Sequence, residues 1–117
     1  MRVLVVDDSP SFRGLAKQLL ARAGFAVVGE AVDAGTALRE TERLRPDALL
    51  LDIVLPDRSG LDVAQELARW RNRPRVVLTS SRGRSDFGDS FEWPPGCSFL
   101  PKHELTVARL RDALRPQ

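Results

Sequence analysis

Short apolar runs alternate with helical stripes along this chain. Val3-Leu4-Val5-Val6 and Ala48-Leu49-Leu50-Leu51 are unbroken apolar runs of strand length, and each ends at aspartate. Such a run, without the polar alternation of a half-exposed strand, predicts a strand buried on both faces, as in a parallel sheet. Between them, Phe12, Leu15, Ala16, Leu19, Leu20 and Ala23 recur at helical spacing and predict an inward stripe. Gly24 is placed to end that helix as a left-handed cap. A second strand is predicted over residues 26–32. Asp33 then reads as the N-cap of a helix carrying Ala34, Ala37, Leu38, Thr41 and Leu44 on one face, stopped by Pro46. After the third strand and Asp52 comes a turn-rich loop, Leu55 to Gly60. A third helix is predicted over residues 60–71, with Leu61, Ala64, Leu67 and Ala68 inward. Residues 76–78 and 98–100 predict two further strands, and residues 105–114 a last helix with Val107, Leu110 and Leu114 on one face.

Five such strand–helix units with short connections specify an α/β fold, a flavodoxin-like doubly wound five-stranded parallel sheet in the order 2-1-3-4-5, with helices on both faces. The whole chain, residues 1–117, reads as one domain. One stretch resists the pattern. Residues 82–96 should supply a fourth helix but contain Gly83, Gly88, Pro94, Pro95 and Gly96. At most two helical turns, over residues 85–93, are predicted there, so the fourth helix is expected to be short or irregular and this stretch the least ordered.

Composition narrows the class. The chain has 43% hydrophobic and 29% charged residues, ordinary for a globular protein. No apolar stretch approaches the roughly 20 residues of a membrane span, and the first residues do not form a signal peptide. A single cysteine, Cys97, excludes an internal disulfide and fits a cytoplasmic location. The 18 basic residues against 16 acidic leave a net charge of only +2. The arginines at 69, 71, 73 and 75 lack the interleaved aromatics that stack bases, so direct nucleic-acid binding is not expected. Sixteen of the cations are arginine, which makes Lys102 stand out.

The predicted order puts strands one and three side by side. Asp7, Asp8 and Asp52 then meet at the topological switch point, where open α/β sheets bind ligands. Thr79 and Lys102 end strands four and five at the same edge. Clustered carboxylates raise one another's pKa values unless a cation or phosphoryl group uses them. Their oxygens, with backbone carbonyl and water, suit Mg²⁺. A central carboxylate beside such a cation can attack a phosphoryl group. A hydroxyl and an ammonium can balance the phosphate oxygens.

At these residues the chain resembles the receiver domains of two-component response regulators. The resemblance rests on Val5-Val6-Asp7-Asp8-Ser9, Leu50-Leu51-Asp52, Pro56-Asp57-Arg58-Ser59-Gly60, Leu78-Thr79-Ser80 and Phe99-Leu100-Pro101-Lys102, in that order over residues 1–115. It implies that Asp52 is the phosphoacceptor. It implies that Asp8, backed by Asp7, holds Mg²⁺ together with Asp52 and the carbonyl of Val54. Thr79 becomes the hydroxyl that moves onto the phosphoryl group, Phe99 the coupled aromatic and Lys102 the phosphoryl-pairing ammonium. Implied partners are a sensor histidine kinase or histidine phosphotransfer protein, an output protein or domain of unknown identity, and a second copy in a phosphorylation-dependent homodimer; no membrane is implied. Where many members carry a cis proline after the lysine, this chain has His103, so no cis bond is expected.

Three functions compete. A phosphorylatable signalling switch, which is not an enzyme, accounts for all five site residues. A phosphorylation-independent interaction module on the same fold is the alternative that the irregular fourth helix keeps open. An aspartyl-phosphate phosphatase of the haloacid dehalogenase type would need a second acid two residues after the nucleophile, where Val54 stands.

Overall fold

The structure is a computed structural model and describes residues 1–81, 83, 87 and 91–115. In chain order, its elements are β1 (Arg2–Val6), α1 (Pro10–Arg22), β2 (Ala26–Ala31), α2 (Ala34–Leu44), β3 (Ala48–Asp52), α3 (Gly60–Leu67), β4 (Arg75–Thr79), β5 (Cys97–Phe99) and α4 (Val107–Ala113). The strands pair in parallel in the order β2-β1-β3-β4-β5. This is the doubly wound, flavodoxin-like sheet that the apolar runs predict.

The pleat sorts the core into two layers. Leu4, Val6, Leu49, Leu51, Val76 and Leu78 face one side, where α2 and α3 cover them with Ala34, Ala37, Val63, Ala64 and Leu67. Val3, Val5, Ala48, Leu50 and Val77 face the other, under Ala16 and Leu20 of α1 and Leu110 of α4. Every residue of β3 is buried, because that strand is central and covered on both faces. Its lack of polar alternation follows directly.

The predicted caps are present. Asp33 accepts a 2.7 Å hydrogen bond from the Thr36 amide, and Gly24 has φ +94° after α1. Pro46 follows Arg45, which closes α2 in the left-handed region at φ 48°. No cis peptide bond occurs among the described residues, as expected with His103 after Lys102.

Several boundaries differ from the sequence expectation. α3 ends at Leu67 rather than 71, because the chain tightens into i to i+3 bonds from the amides of Arg69 and Trp70. Residues 102–104 form a 3₁₀ turn, so α4 begins only after its N-cap Thr106. Leu15, counted in the stripe of α1, is 49% exposed; only Ala16 and Leu20 of that helix are fully covered. Helical spacing alone overestimates the width of the buried arc when a helix packs on one sheet face. Cys97 is only partly buried, because β5 is the edge strand. The expectation of limited helix and low order in residues 82–96 falls largely on residues outside those described; residues 91–94 carry no helix. Among the described residues, no helix is long and apolar enough to cross a membrane.

Candidate functional site

The sheet delivers the site by register. Val6 pairs with Leu51, so the next residues, Asp7 and Asp52, stand side by side; Asp52 itself pairs with Thr79. Counting in twos from Val5, Leu50 and Val77 places Asp7, Asp52 and Thr79 on the face covered by α1 and α4. Pairing continues past β5: the Leu100 amide donates to the Leu78 carbonyl and the Lys102 amide to that of Ser80. Lys102 is thereby carried to the same edge.

The five predicted site residues come together. Asp7, Asp8 and Asp52 each offer a carboxylate oxygen, and these lie within 4.8 Å of one another. Asp7 and Thr79 are fully buried, Asp52 is 5% exposed, and Asp8 is open to solvent. The Lys102 ammonium stands 2.8 Å from Asp7 Oδ2 and 3.3 Å from Asp52 Oδ2. The shorter contact is an ion pair outside hydrogen-bond geometry, whereas Lys102 donates a hydrogen bond to Asp52. Asp52 Oδ1 accepts one at 3.1 Å from the Val54 amide. Val54 itself is exposed.

Electrostatics make Asp52 distinct. Burial, with the charge of Asp7 adding to it, pushes its pKa up to about 6, against the opposing Val54 hydrogen bond and the Lys102 charge. For Lys102, burial pulls the other way, but the two carboxylates outweigh it and hold the ammonium above its ordinary pKa. Asp52 is thus a mostly ionised carboxylate at neutral pH that is costly to keep ionised.

Two buried polar atoms have no hydrogen-bond partner among the described residues, Asp7 Oδ2 and Thr79 Oγ1. Buried acceptors and hydroxyls are normally satisfied. Asp7 Oδ2 is compensated by the Lys102 ammonium at 2.8 Å, which leaves the Thr79 hydroxyl as the polar atom of the site without a partner among the described residues. The all-oxygen set of Asp7, Asp8 and Asp52, with one carboxylate oxygen of each within 4.8 Å of the others, fits a hard divalent cation such as Mg²⁺.

Residues to which the sequence assigned no role at the site hold this arrangement. Ser9 caps α1 by accepting from the Phe12 amide, and Asp7 Oδ1 accepts from the Ser9 amide at 2.9 Å. Arg13 donates to the Asp7 carbonyl and, at 2.9 Å, to Glu30. The Lys102 ammonium sits 4.3 Å from the centre of the Phe12 ring. Asp57 accepts from the amides of Ala34 and Gly35 at 2.8 and 3.0 Å, which ties the loop after Asp52 to the start of α2 and lowers its pKa. Gly60 passes so close to the Asp52 carbonyl that a Cβ there would collide with it. The turn composition around 55–60 signals a loop, but not these particular partners.

Phe99 is buried and stacks on Trp93, with ring centres 4.7 Å apart and planes at 21°. Phe87 meets both rings edge-on, and Phe91 packs against Phe87 and Trp93. An aromatic cluster therefore covers β5 beside the site. A separate cavity of about 600 Å³, lined by Thr41, Arg45, Trp70 and Arg71 among others, opens at the opposite end of the sheet and contains none of these residues.

Residues 3–114 match the family model of the response regulator receiver domain. The chain is 31% identical over 83 residues to the chemotaxis protein CheY of Thermotoga maritima, covering 71% of this chain and 69% of that protein. It is 41% identical to the DNA-binding response regulator MtrA of Mycolicibacterium smegmatis, covering 97% of this chain and 50% of MtrA. Among solved structures, the BeF3-activated N-terminal receiver domain of Klebsiella pneumoniae RstA superposes with a TM-score of 0.80 at 27% identity, covering 99% and 100% of the two chains. Across the curated relatives it matches, the chain spans between 23% and 69% of their length.

Proposed function

This chain belongs to the response regulator receiver domain family, and from that premise we propose that it is a phosphorylatable signalling switch whose phosphoacceptor is Asp52. Receiver domains are signalling switches rather than enzymes, and they bind Mg²⁺ at an acidic pocket. The observation that carries the reading is the surroundings of Asp52: buried, next to Asp7, bonded to Lys102 and in register with an unsatisfied Thr79 hydroxyl.

The chemistry follows from those groups. One Asp52 carboxylate oxygen attacks the phosphorus of a donor. The bond from phosphorus to the donor atom (the imidazole nitrogen of a phosphohistidine, or the acyl oxygen of acetyl phosphate) breaks, and its electron pair leaves with the donor. The product is an acyl phosphate on Asp52. Lys102 supplies an ammonium to a phosphoryl oxygen, and Thr79 a hydroxyl that has no partner beforehand. Mg²⁺, held by Asp7, Asp8, Asp52 and the Val54 carbonyl, would neutralise phosphoryl charge. Asp7, 2.8 Å from the Lys102 ammonium, keeps it at the site. The partners of this reading are a histidine kinase or phosphotransfer protein upstream and an output protein or domain downstream.

A bond made by Thr79 in one state only is what shifts a two-state equilibrium. Phe99, at the adjacent strand end and clamped by Trp93, is placed to transmit that shift to the face around β5. The test is incubation with acetyl phosphate and Mg²⁺ followed by intact mass. Wild type gains one phosphoryl group and Asp52→Asn gains none; a labelled Asp52→Asn protein overturns the assignment.

A further inference from the structure

We propose that Phe12 is a positioning residue for phosphoryl transfer: its ring holds the Lys102 ammonium at the site whatever the charge on Asp52. This rests on the reading of Asp52 as phosphoacceptor. The ammonium lies among three groups, Asp7 Oδ2 at 2.8 Å, Asp52 Oδ2 at 3.3 Å and the Phe12 ring centre at 4.3 Å. That last distance is within cation–π range. The two carboxylates change roles during the reaction. Asp52 gives up its negative carboxylate when it becomes an acyl phosphate, and Asp7 belongs to the acid set suited to a divalent cation. Of the three, the π face of Phe12 is the partner that no step modifies and no divalent cation competes for.

The ring is built into a fixed place. Phe12 lies in the first turn of α1, where its amide is bonded to the capping Ser9 hydroxyl. Its neighbour Arg13 bonds both the Asp7 carbonyl and Glu30 of β2. That turn is thus fastened to the strand that delivers Asp7 and to the next strand out. The Phe12 side chain also packs against the core layer under α1 and α4. A lysine on a flexible four-carbon stem loses considerable side-chain entropy when fixed in one place. A rigid aromatic wall beneath it restricts where the ammonium can go before the donor arrives.

Phe12→Tyr keeps the π face, whereas Phe12→Leu keeps apolar bulk and removes it. Phosphorylation by acetyl phosphate is followed by intact mass across donor concentrations, with the melting temperature and Mg²⁺ affinity of each variant measured alongside. Phe12→Leu should slow the maximal labelling rate by roughly five-fold, the size of a partly exposed cation–π contact. Its Mg²⁺ affinity should stay unchanged, since Phe12 supplies no oxygen to the acid cluster. Phe12→Tyr should label at the wild-type rate. In the wild type and Phe12→Tyr, the ring current should also move the Lys102 ε-methylene protons upfield, and Phe12→Leu should abolish that displacement. Labelling at equal rates in all three overturns the positioning role while leaving Asp52 as phosphoacceptor. A wild type that takes no phosphoryl group overturns both.

Discussion

Asp52 should destabilise the metal-free protein, and its removal should reveal by how much. Its pKa rises from the ordinary 3.8 to about 6 on folding, chiefly through burial. At about 1.4 kcal/mol per tenfold in proton affinity, that corresponds to a free energy on the order of 3 kcal/mol. The sign follows from linkage. Between the two pKa values the folded state binds more protons than the unfolded one, so stability falls as pH rises from about 4 to about 6, and the loss is complete above that. Asn at this position resembles the protonated acid and carries no charge to desolvate. In urea with a chelator present, read by the fluorescence of Trp70 and Trp93, Asp52→Asn should exceed wild type at pH 7.5 by roughly 2–3 kcal/mol. With a typical urea slope for a small domain, this displaces the midpoint by about 1–2 M. At pH 4.5 the gap should shrink to about 1 kcal/mol, because Asp52 is then protonated in the folded wild type while its unfolded carboxyl is still largely ionised. Mg²⁺ should narrow the gap at pH 7.5, since a ligand that binds only the folded wild type stabilises it by mass action. A gap of the same size at both pH values, or a less stable Asp52→Asn at pH 7.5, would refute the argument that burial of this charge opposes folding.

Three further outcomes follow from the same geometry. Asp8→Ala should lose most Mg²⁺ affinity, measured by titration of Trp fluorescence or chemical shift, because an exposed carboxylate contributes an oxygen to the cluster without being needed for the core. Thr79→Val should still be labelled on Asp52 yet lose the change in Trp93 fluorescence on phosphorylation; its metal-free form should gain about 1 kcal/mol, since it removes a buried hydroxyl without a partner. Gly60→Ala should lower stability by roughly 3 kcal/mol or more in urea unfolding, because the new Cβ meets the backbone carbonyl of Asp52, which cannot move aside as a flexible side chain could; wild-type stability in this variant would show that the loop has slack at the phosphoacceptor.

Much of the architecture is local information. The continuous apolar runs of β1 and β3 report burial on both faces, which only an inner strand of a parallel sheet experiences. Asp33, Gly24 and Pro46 mark helix ends because capping is decided within a few residues. From those elements, topology rules lead to the strand order, and the order brings Asp7, Asp8, Asp52, Thr79 and Lys102 to one edge. What the sequence could not decide depends on contacts between residues far apart in the chain. The exposure of Leu15 depends on how α1 sits on the sheet, not on its own spacing. The end of α3 at Leu67 depends on the tight turn leading to β4. The stacking of Trp93 on Phe99, the capture of the α2 amides by Asp57 and the placement of Lys102 over Phe12 each join segments that periodicity treats as independent. Residue type and spacing determine which groups reach the site; only the packed tertiary structure decides how far each is buried, and burial sets the charge on Asp52 and the company that Lys102 keeps.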